Sequence, residues 1–204
     1  MARPQVTAER RNQILDGLFV AMADAGSDAA SVTEIAARSG LPRGVLHYYF
    51  SSKDEMRRAL MRRMAESYLA DLRDVVENGP RGAHGEGPIK RLIRYHFRGD
   101  PEQTARNTSV WIDFWGQAPA DKELARIIAD VQEGARRRFA EAIVRAQPGL
   151  PSARVTAMAA CAQAVVEGLL LQWRVCRATG GRFDVQAAAH VAEAQVLALL
   201  GEVS

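Results

Sequence analysis

The chain has 204 residues, of which 48% are hydrophobic and 25% charged, and its net charge is +3. These proportions are ordinary for a soluble globular protein of one large or two small domains. The N-terminus lacks the apolar core of a signal peptide, and no run of about 18 apolar residues predicts a membrane span. Cys161 and Cys176 would lie roughly 22 Å apart along one predicted helix, too far for a disulfide. We therefore expect a cytoplasmic protein with reduced thiols that does not bind membranes.

The predicted elements are all helices, because no alternating strand pattern is sustained and apolar residues recur with helical spacing. The first helix, residues 7–25, places Ile14, Leu18 and Met22 on one stripe and ends at Gly26. Two short helices follow in residues 32–49, and a long one is predicted over 53–77. A Gly- and Pro-rich loop at 78–88 marks a connection near a domain boundary. Later helices are predicted over residues 88–98, 104–117, 121–146, 151–179 and 184–200.

The two short helices carry start and stop signals that predict a helix-turn-helix. Ser31 stands three residues before Glu34, which is the spacing of a capping box at a helix start. Gly40 can adopt the left-handed conformation that ends a helix, and Pro42 suits the first turn of the next one. Leu46 and Phe50 lie four residues apart and should face inward together.

The outward face of the second short helix is rich in hydrogen-bond donors that suit a phosphate backbone. Arg43, His47, Tyr48 and Tyr49 surround a bare Gly44. Phosphate oxygens accept hydrogen bonds from Tyr, Lys, Arg and backbone N–H groups. Residues 1–63 hold 10 Lys and Arg against 7 Asp and Glu, whereas the remainder holds 17 of each. The positive excess therefore lies in the segment that we expect to bind a polyanion.

The segment from about Thr7 to Leu60 resembles the N-terminal domain of the TetR family of bacterial transcriptional regulators. The matching positions include Ile35-Ala36, Gly40-Leu41, Tyr49-Phe50 and Lys53. His47, Pro42 and Val45 depart from the usual pattern, which leaves the operator sequence open. The resemblance implies a helix-turn-helix DNA-binding domain at 1–52 and an effector-binding and dimerisation domain at 53–204, connected by helix 53–77. It implies a repressor that binds a palindromic operator and is released by a small molecule. The predicted DNA-binding residues are Ser31, Thr33, Arg43, Gly44, Val45, His47, Tyr48, Tyr49 and Lys53.

The last two predicted helices are apolar around much of their circumference, which requires cover on several sides. An intramolecular core is one source of that cover, and a second copy packing across a two-fold axis is another. TetR-like proteins dimerise in the second way, and the resemblance therefore favours a homodimer. The predicted interface residues are Val155, Met158, Ala162, Val166, Leu169, Leu170, Val185, Ala189, Ala192, Val196 and Leu199.

An aromatic and acidic set in the middle of the chain predicts an effector site. Trp111, Phe114 and Trp115 share one side of a helix by their spacing. Aromatic faces beside a carboxylate suit a cation, and the same faces would suit a flat apolar compound. The segment from Trp111 to Trp173 also resembles the effector domain of the BetI group of choline-responsive repressors, which favours the cation. Packing of these aromatics as ordinary core remains open. The predicted ligand-binding residues are Tyr95, Trp111, Asp113, Phe114, Trp115, Glu167 and Trp173.

Enzymatic function is the rival class, and the sequence gives it little support. There is no phosphate-binding glycine loop, no nucleophile elbow and no Cys–His pairing, so we predict no catalytic residues and no cofactor. His190 and Glu193 have the i, i+3 spacing of two metal ligands, but nothing converges with them, and no metal site is predicted. A helical small-molecule-binding dimer without DNA binding remains the alternative function. Lys53, Tyr49 and Gly44 argue against it.

Overall fold

The structure, a computed structural model, describes residues 3–26, 28–79, 86–97 and 100–199, with the side chains of residues 3–5 and 199 left out. Within these ranges every regular element is a helix, which confirms the predicted all-α fold. The helices are α1 (Arg3–Ala25), α2 (Val32–Ser39), α3 (Arg43–Tyr49), α4 (Lys53–Glu77), α5 (Pro88–Tyr95), α6 (Pro101–Gln117), α7 (Lys122–Ala146), α8 (Ser152–Ala178) and α9 (Val185–Leu199).

Helix boundaries follow the predicted signals closely. Ser31 caps α2, with its hydroxyl accepting a hydrogen bond from the Glu34 N–H at 3.1 Å. Gly40 has a φ of +63°, and its N–H bonds back to the carbonyls at the end of α2. Pro42 is the N-cap of α3 rather than its first helical residue. Residues 80–85 of the predicted loop lie outside the described residues.

The chain divides into two compact units. The first contains Met1–Ala65 and Arg106–Ile128, and the second contains Glu66–Ala105 and Ala129–Ser204. This division passes through α4 after Ala65 rather than before its start, and it groups most of α6 with the helix-turn-helix. The functional boundary after residue 52, with helix 53–77 as the connection between the two domains, stays a prediction.

The first unit is built around an apolar core that α1 shares with the helix-turn-helix. Gly17 of α1 allows a close approach to α2, because a Cβ built there would lie 2.8 Å from the Ser39 nitrogen and 2.9 Å from the Ile35 carbonyl oxygen. Leu46 and Phe50 are buried together, as their spacing predicted. The largest fully buried side chains of the first unit are Ile14, Leu18, Met22, Ile35, Leu46, Phe50, Met56, Leu60, Met61 and Phe114.

The second unit has its own core, to which α4, α5, α7, α8 and α9 contribute. Phe139 of α7 is fully buried within it. Glu193 of α9 is also buried, and Arg94 of α5 binds its carboxylate with two hydrogen bonds of 2.6 and 3.0 Å. Lys90 adds a third cationic contact at 3.4 Å. Helix α9 is therefore joined to α5 by a paired buried charge as well as by apolar packing.

Helix α8 is long and apolar enough to cross a membrane by length and composition alone. The core helix of a globular protein passes the same test. One side of α8 packs into the core of the second unit through Val155, Ala159, Ala162 and Val166. Most of its apolar residues are nevertheless not fully buried, so much of the helix is left uncovered by its own chain.

Candidate functional site

Helix α3 presents a polar outer face on a buried apolar base. Leu46 and Phe50 anchor it, while Arg43, Gly44, His47 and Tyr48 are exposed. Tyr48 is 79% exposed, and its ring meets the edge of Tyr49 at a centroid separation of 5.0 Å. A tyrosine held so far into solvent has little packing role within the chain, and its hydroxyl is placed to meet an external acceptor.

The remaining predicted DNA-binding residues lie on the same unit, at the ends of neighbouring helices. Ser31 and Thr33 lie at the start of α2, Lys53 begins α4, and Val45 and Tyr49 are half-buried on α3. Gly44 faces open space, because a Cβ built there would meet nothing within 4 Å. Internal packing therefore does not require its missing side chain, and the bare backbone is available to a partner.

Many basic residues of this unit form ion pairs with acidic side chains of the same unit. Arg38, Arg57, Arg58, Arg62 and Arg63 form ion pairs within the unit, for example Arg58 with Asp121 at 2.8 Å and Arg63 with Asp16 at 2.8 Å. Most of the arginines between residues 38 and 63, which the sequence predicted to face a polyanion, therefore bind acidic side chains of the same unit. Arg43 and Lys53 are the basic residues beside the outer face of α3.

Lys53 is half-buried and lies near charges of both signs. Burial, and then the charge of Arg57, lowers the pKa of Lys53 below its ordinary value. Both causes penalise the ammonium form, whereas the charges of Asp28 and Asp54 favour it.

The second unit contains a polar and aromatic cluster that the sequence identified only in part. The Tyr68 hydroxyl and His96 Nε2 are 2.8 Å apart, and His96 Nδ1 lies 2.8 Å from the Leu92 carbonyl oxygen. Since a carbonyl can only accept, Nδ1 carries the proton and Tyr68 donates to Nε2. Burial lowers the pKa of His96 to about 4, so the imidazole is neutral at pH 7. Burial, followed by the charge of Glu167, raises the pKa of Tyr68.

Aromatic rings continue this cluster. Tyr95 meets the edge of His96 at 5.1 Å between centroids, and its hydroxyl donates to Asp71 at 2.8 Å. Phe139 stacks on His96 at 6.1 Å. Aromatic faces from α4, α5 and α7 are therefore grouped within one unit.

Helix α8 contributes a carboxylate, Glu167, whose charge acts on Tyr68, and an amide, Gln163, that binds this carboxylate. The Gln163 Nε2 donates to Glu167 at 2.9 Å and also to the side chain of Gln132. Gln163 is only 4% exposed, and its buried Oε1 has no hydrogen-bond partner among the described residues. An unpaired buried amide oxygen is costly, which makes it a receptive acceptor for a ligand donor.

The seven predicted ligand-binding residues do not all lie in this unit. Tyr95, Glu167 and Trp173 belong to the second unit, whereas Trp111, Asp113, Phe114 and Trp115 belong to the first. Phe114 is fully buried and serves as core. Trp173 lines a separate cavity of about 140 Å³ with Phe97 and Leu170. A single pocket containing all seven stays a prediction.

No group of three or more metal-ligating side chains occurs among the described residues. Of the pair noted in the sequence, His190 is exposed and Glu193 is held by Arg94.

Comparison with known proteins agrees with both parts of this architecture. Residues 14–60 match the family of bacterial regulatory proteins of the tetR type, and residues 89–201 match the C-terminal domain of BetI-type transcriptional repressors. The second match alone covers more than half of the chain. The chain belongs to the TetR family of transcriptional regulators.

Individual relatives cover nearly the whole of this TetR-family chain. The HTH-type transcriptional regulator BetI of Burkholderia thailandensis is 25% identical over 94% of the chain and 93% of its own length. BetI of Rhizobium meliloti is 28% identical over 83% and 81%. A transcriptional regulator from Rhodococcus sp. Rha1 shares the fold, with a TM-score of 0.77, 24% identity and coverage of 95% and 98%.

The predicted dimer residues of this TetR-family regulator need correction. Five of them, Val155, Ala162, Val166, Ala189 and Val196, pack inside the second unit. They cannot be the surface that a second copy covers, because the chain's own helices already cover them. The side chain of Leu199 lies outside the described residues. The other predicted interface residues are half-buried, and their place in a dimer interface stays a prediction: Met158, Leu169, Leu170, Val185 and Ala192.

Sequence reasoning also missed Tyr68, His96 and Gln163. The available signal was Gln163, an amide that stands between apolar residues in the middle of α8. Buried amides require partners, and its partners Gln132 and Glu167 lead toward the cluster.

Proposed function

We propose that this TetR-family regulator binds a palindromic operator as a homodimer in the cytoplasm and is released from it by a small cationic effector. The observation that carries the proposal is the outer face of α3, a row of exposed donors on a buried apolar base. The two copies of α3 would occupy successive major grooves of the operator.

The contacts to DNA follow from residue chemistry and position. Arg43, Val45 and His47 read base edges, and Arg43 suits the O6 and N7 acceptors of guanine. The remaining contacts, which anchor the phosphates without reading sequence, come from Ser31, Thr33, Gly44, Tyr48, Tyr49 and Lys53.

Two substitutions test this division. Arg43→Ala should cost roughly 1–3 kcal/mol at one base pair of each half-site and relax specificity there. Lys53→Ala should weaken binding to every duplex. It should also reduce the salt slope, which is the slope of the logarithm of the binding constant against the logarithm of the salt concentration, by about 1 for each phosphate that the lysine neutralises in the wild type. The probe is the duplex that the wild-type protein selects from a random pool. Wild-type affinity and salt slope in both variants would refute the assignment of α3.

The dimer is proposed on a face of α8 that the chain leaves uncovered. Ala157, Cys161, Ala164, Leu171 and Val175 are all exposed, and their spacing places them on one side of the helix. This face carries no charge over roughly 27 Å. Helix α9 contributes Val191, which is 60% exposed. A second copy of the same face would remove this apolar surface from water.

Leu171→Glu combined with Val175→Glu should therefore give monomers and abolish operator binding, as measured by light scattering and anisotropy. Val144→Glu is the matched control, because Val144 is 46% exposed on α7 and does not belong to this face. A dimeric double variant would reject this interface.

The effector is proposed to bind at the cluster of Tyr68, Tyr95, His96 and Glu167. Two carboxylates border this cluster, since the charge of Glu167 acts on Tyr68 and Asp71 accepts the hydrogen bond of the Tyr95 hydroxyl. Aromatic faces beside a carboxylate attract a cation. The BetI relatives support the same class of ligand by resemblance.

Calorimetry with choline and with its uncharged isostere 3,3-dimethylbutanol tests the charge requirement. Choline should bind at least about tenfold more tightly, and Glu167→Gln should remove most of that difference. Equal affinity for the two compounds would reject a cationic effector while leaving the regulator assignment intact.

A further inference from the structure

Arg11 of α1 makes three contacts around the C-terminal end of α3. Its Nη1 donates to the Tyr49 carbonyl oxygen at 2.5 Å, and its guanidinium lies 4.0 Å from the centroid of the Phe50 ring. Its Nη2 lies 3.7 Å from Glu55 in the first turn of α4. One side chain thus joins three helices of the first unit.

These contacts suit the end of a short helix. Tyr49 is the last residue of α3, so its carbonyl oxygen accepts no hydrogen bond from an N–H group within the helix. A cation at a helix C-terminus is favoured by the helix dipole, and the planar guanidinium can stack on a ring while it donates sideways. With only seven residues, α3 has little rigidity of its own, and its orientation depends on such external contacts.

The contact of Arg11 with Glu55 connects Arg11 to the linker between α3 and α4, residues 50–52. The Glu55 carboxylate accepts hydrogen bonds from the Ser51 N–H at 2.7 Å and the Ser51 hydroxyl at 2.8 Å. Arg11 therefore binds the group that fixes the linker as well as the helix end that the linker leaves. Tyr48 and Tyr49 stand at that end, and a small rotation there would displace both from their contacts with DNA.

We propose that Arg11 is a positioning residue for operator recognition: it holds the C-terminal end of α3 against α1 and the first turn of α4, and so sets the angle at which α3 enters the major groove. The inference rests on the proposed role of α3 as the recognition helix. Arg11 is assigned no contact with DNA, which separates its role from that of Arg43 or Lys53.

The test compares specific with non-specific binding in matched variants. Arg11→Met keeps much of the aliphatic stem and removes the fork, whereas Arg11→Lys keeps the charge but cannot stack on Phe50 and reach Tyr49 with a second nitrogen. Arg10→Met is the control, since Arg10 has the same charge, is exposed and bonds to Gln13 within α1. The probes are the duplex selected by the wild type from a random pool and a shuffled version of it, each measured over a salt series. Unfolding in urea is measured on the same samples.

Both Arg11 variants should bind the selected duplex roughly tenfold more weakly and the shuffled duplex nearly as well as the wild type, with an unchanged salt slope. Arg10→Met should behave as the wild type. If Arg11→Met does not fold, Arg11→Lys carries the comparison.

Three results would overturn the inference. Wild-type discrimination in the variants would show that Arg11 does not orient α3. A salt slope reduced by about 1 per subunit would identify a phosphate contact instead. Equal weakening on both duplexes, matching a decrease in unfolding free energy, would indicate a purely structural role. If the wild type selects no duplex at all, the proposed function fails first, and the inference fails with it.

Discussion

Gly17→Ala is expected to destabilise the first unit, although alanine normally favours a helix. Gly17 is buried in α1, where α1 packs against α2. A Cβ added there would lie 2.8 Å from the Ser39 backbone nitrogen and 2.9 Å from the Ile35 carbonyl oxygen, and closer still to the Ser39 hydroxyl. The hydroxyl can rotate, but the two backbone atoms can move only if α2 moves.

The expected magnitude combines two opposed effects. Replacing glycine by alanine inside a helix gains roughly 0.5–1 kcal/mol. Forcing a methyl group into a packed interface costs typically about 1–3 kcal/mol. We therefore expect a net decrease of about 1–2 kcal/mol in the free energy of unfolding. Because α2 must shift, operator affinity should fall as well.

Urea unfolding followed by circular dichroism measures this decrease. Gly116→Ala is the matched control, since Gly116 lies in α6 of the same unit and a Cβ there would meet nothing within 4 Å. The control should be neutral or slightly stabilising. If Gly17→Ala were as stable as Gly116→Ala and bound the operator normally, the close approach of α1 and α2 would be refuted.

Further substitutions test other parts of the fold. Gly44→Ala should stabilise α3 by roughly 0.5–1 kcal/mol and yet weaken operator binding, because the methyl group enters the space reserved for DNA; unchanged affinity would contradict this. His96 has a folded pKa of about 4 and an unfolded one near 6.5, so the unfolded chain binds the extra proton between these values and stability should fall as pH drops through this window. His96→Gln should lack that part of the pH dependence, which is measured by comparing urea unfolding at pH 7 and pH 5. Glu193→Gln should cost roughly 1–3 kcal/mol, because the buried carboxylate that accepts two hydrogen bonds from Arg94 is lost while Arg94 keeps its ion pair with Glu86, whereas the exposed pair of Glu133 and Arg136 should contribute under about 1 kcal/mol by the same urea assay.

The sequence alone determined the local architecture, because local signals act over a few residues. The cap at Ser31, the left-handed turn at Gly40 and the inward pair Leu46 and Phe50 each depend on neighbours within one or two turns of helix. The same periodicity located α4 from Lys53 to Glu77 without error. Recognition of the family and of the outward donors on α3 followed from these positions.

The tertiary structure alone decided which partners each face acquires. Arg58 has the charge of a DNA-facing residue, but Asp121, 63 residues away in the chain, binds it. Val166 has the pattern of an interface residue, but it packs in the chain's own core, while Val175 on the same helix is left exposed. Helical spacing shows that a face is apolar, but it does not show whether the same chain or a second copy covers it. Ion pairs and buried clusters such as Tyr68 with His96 depend on the path of the whole chain, which no local pattern encodes.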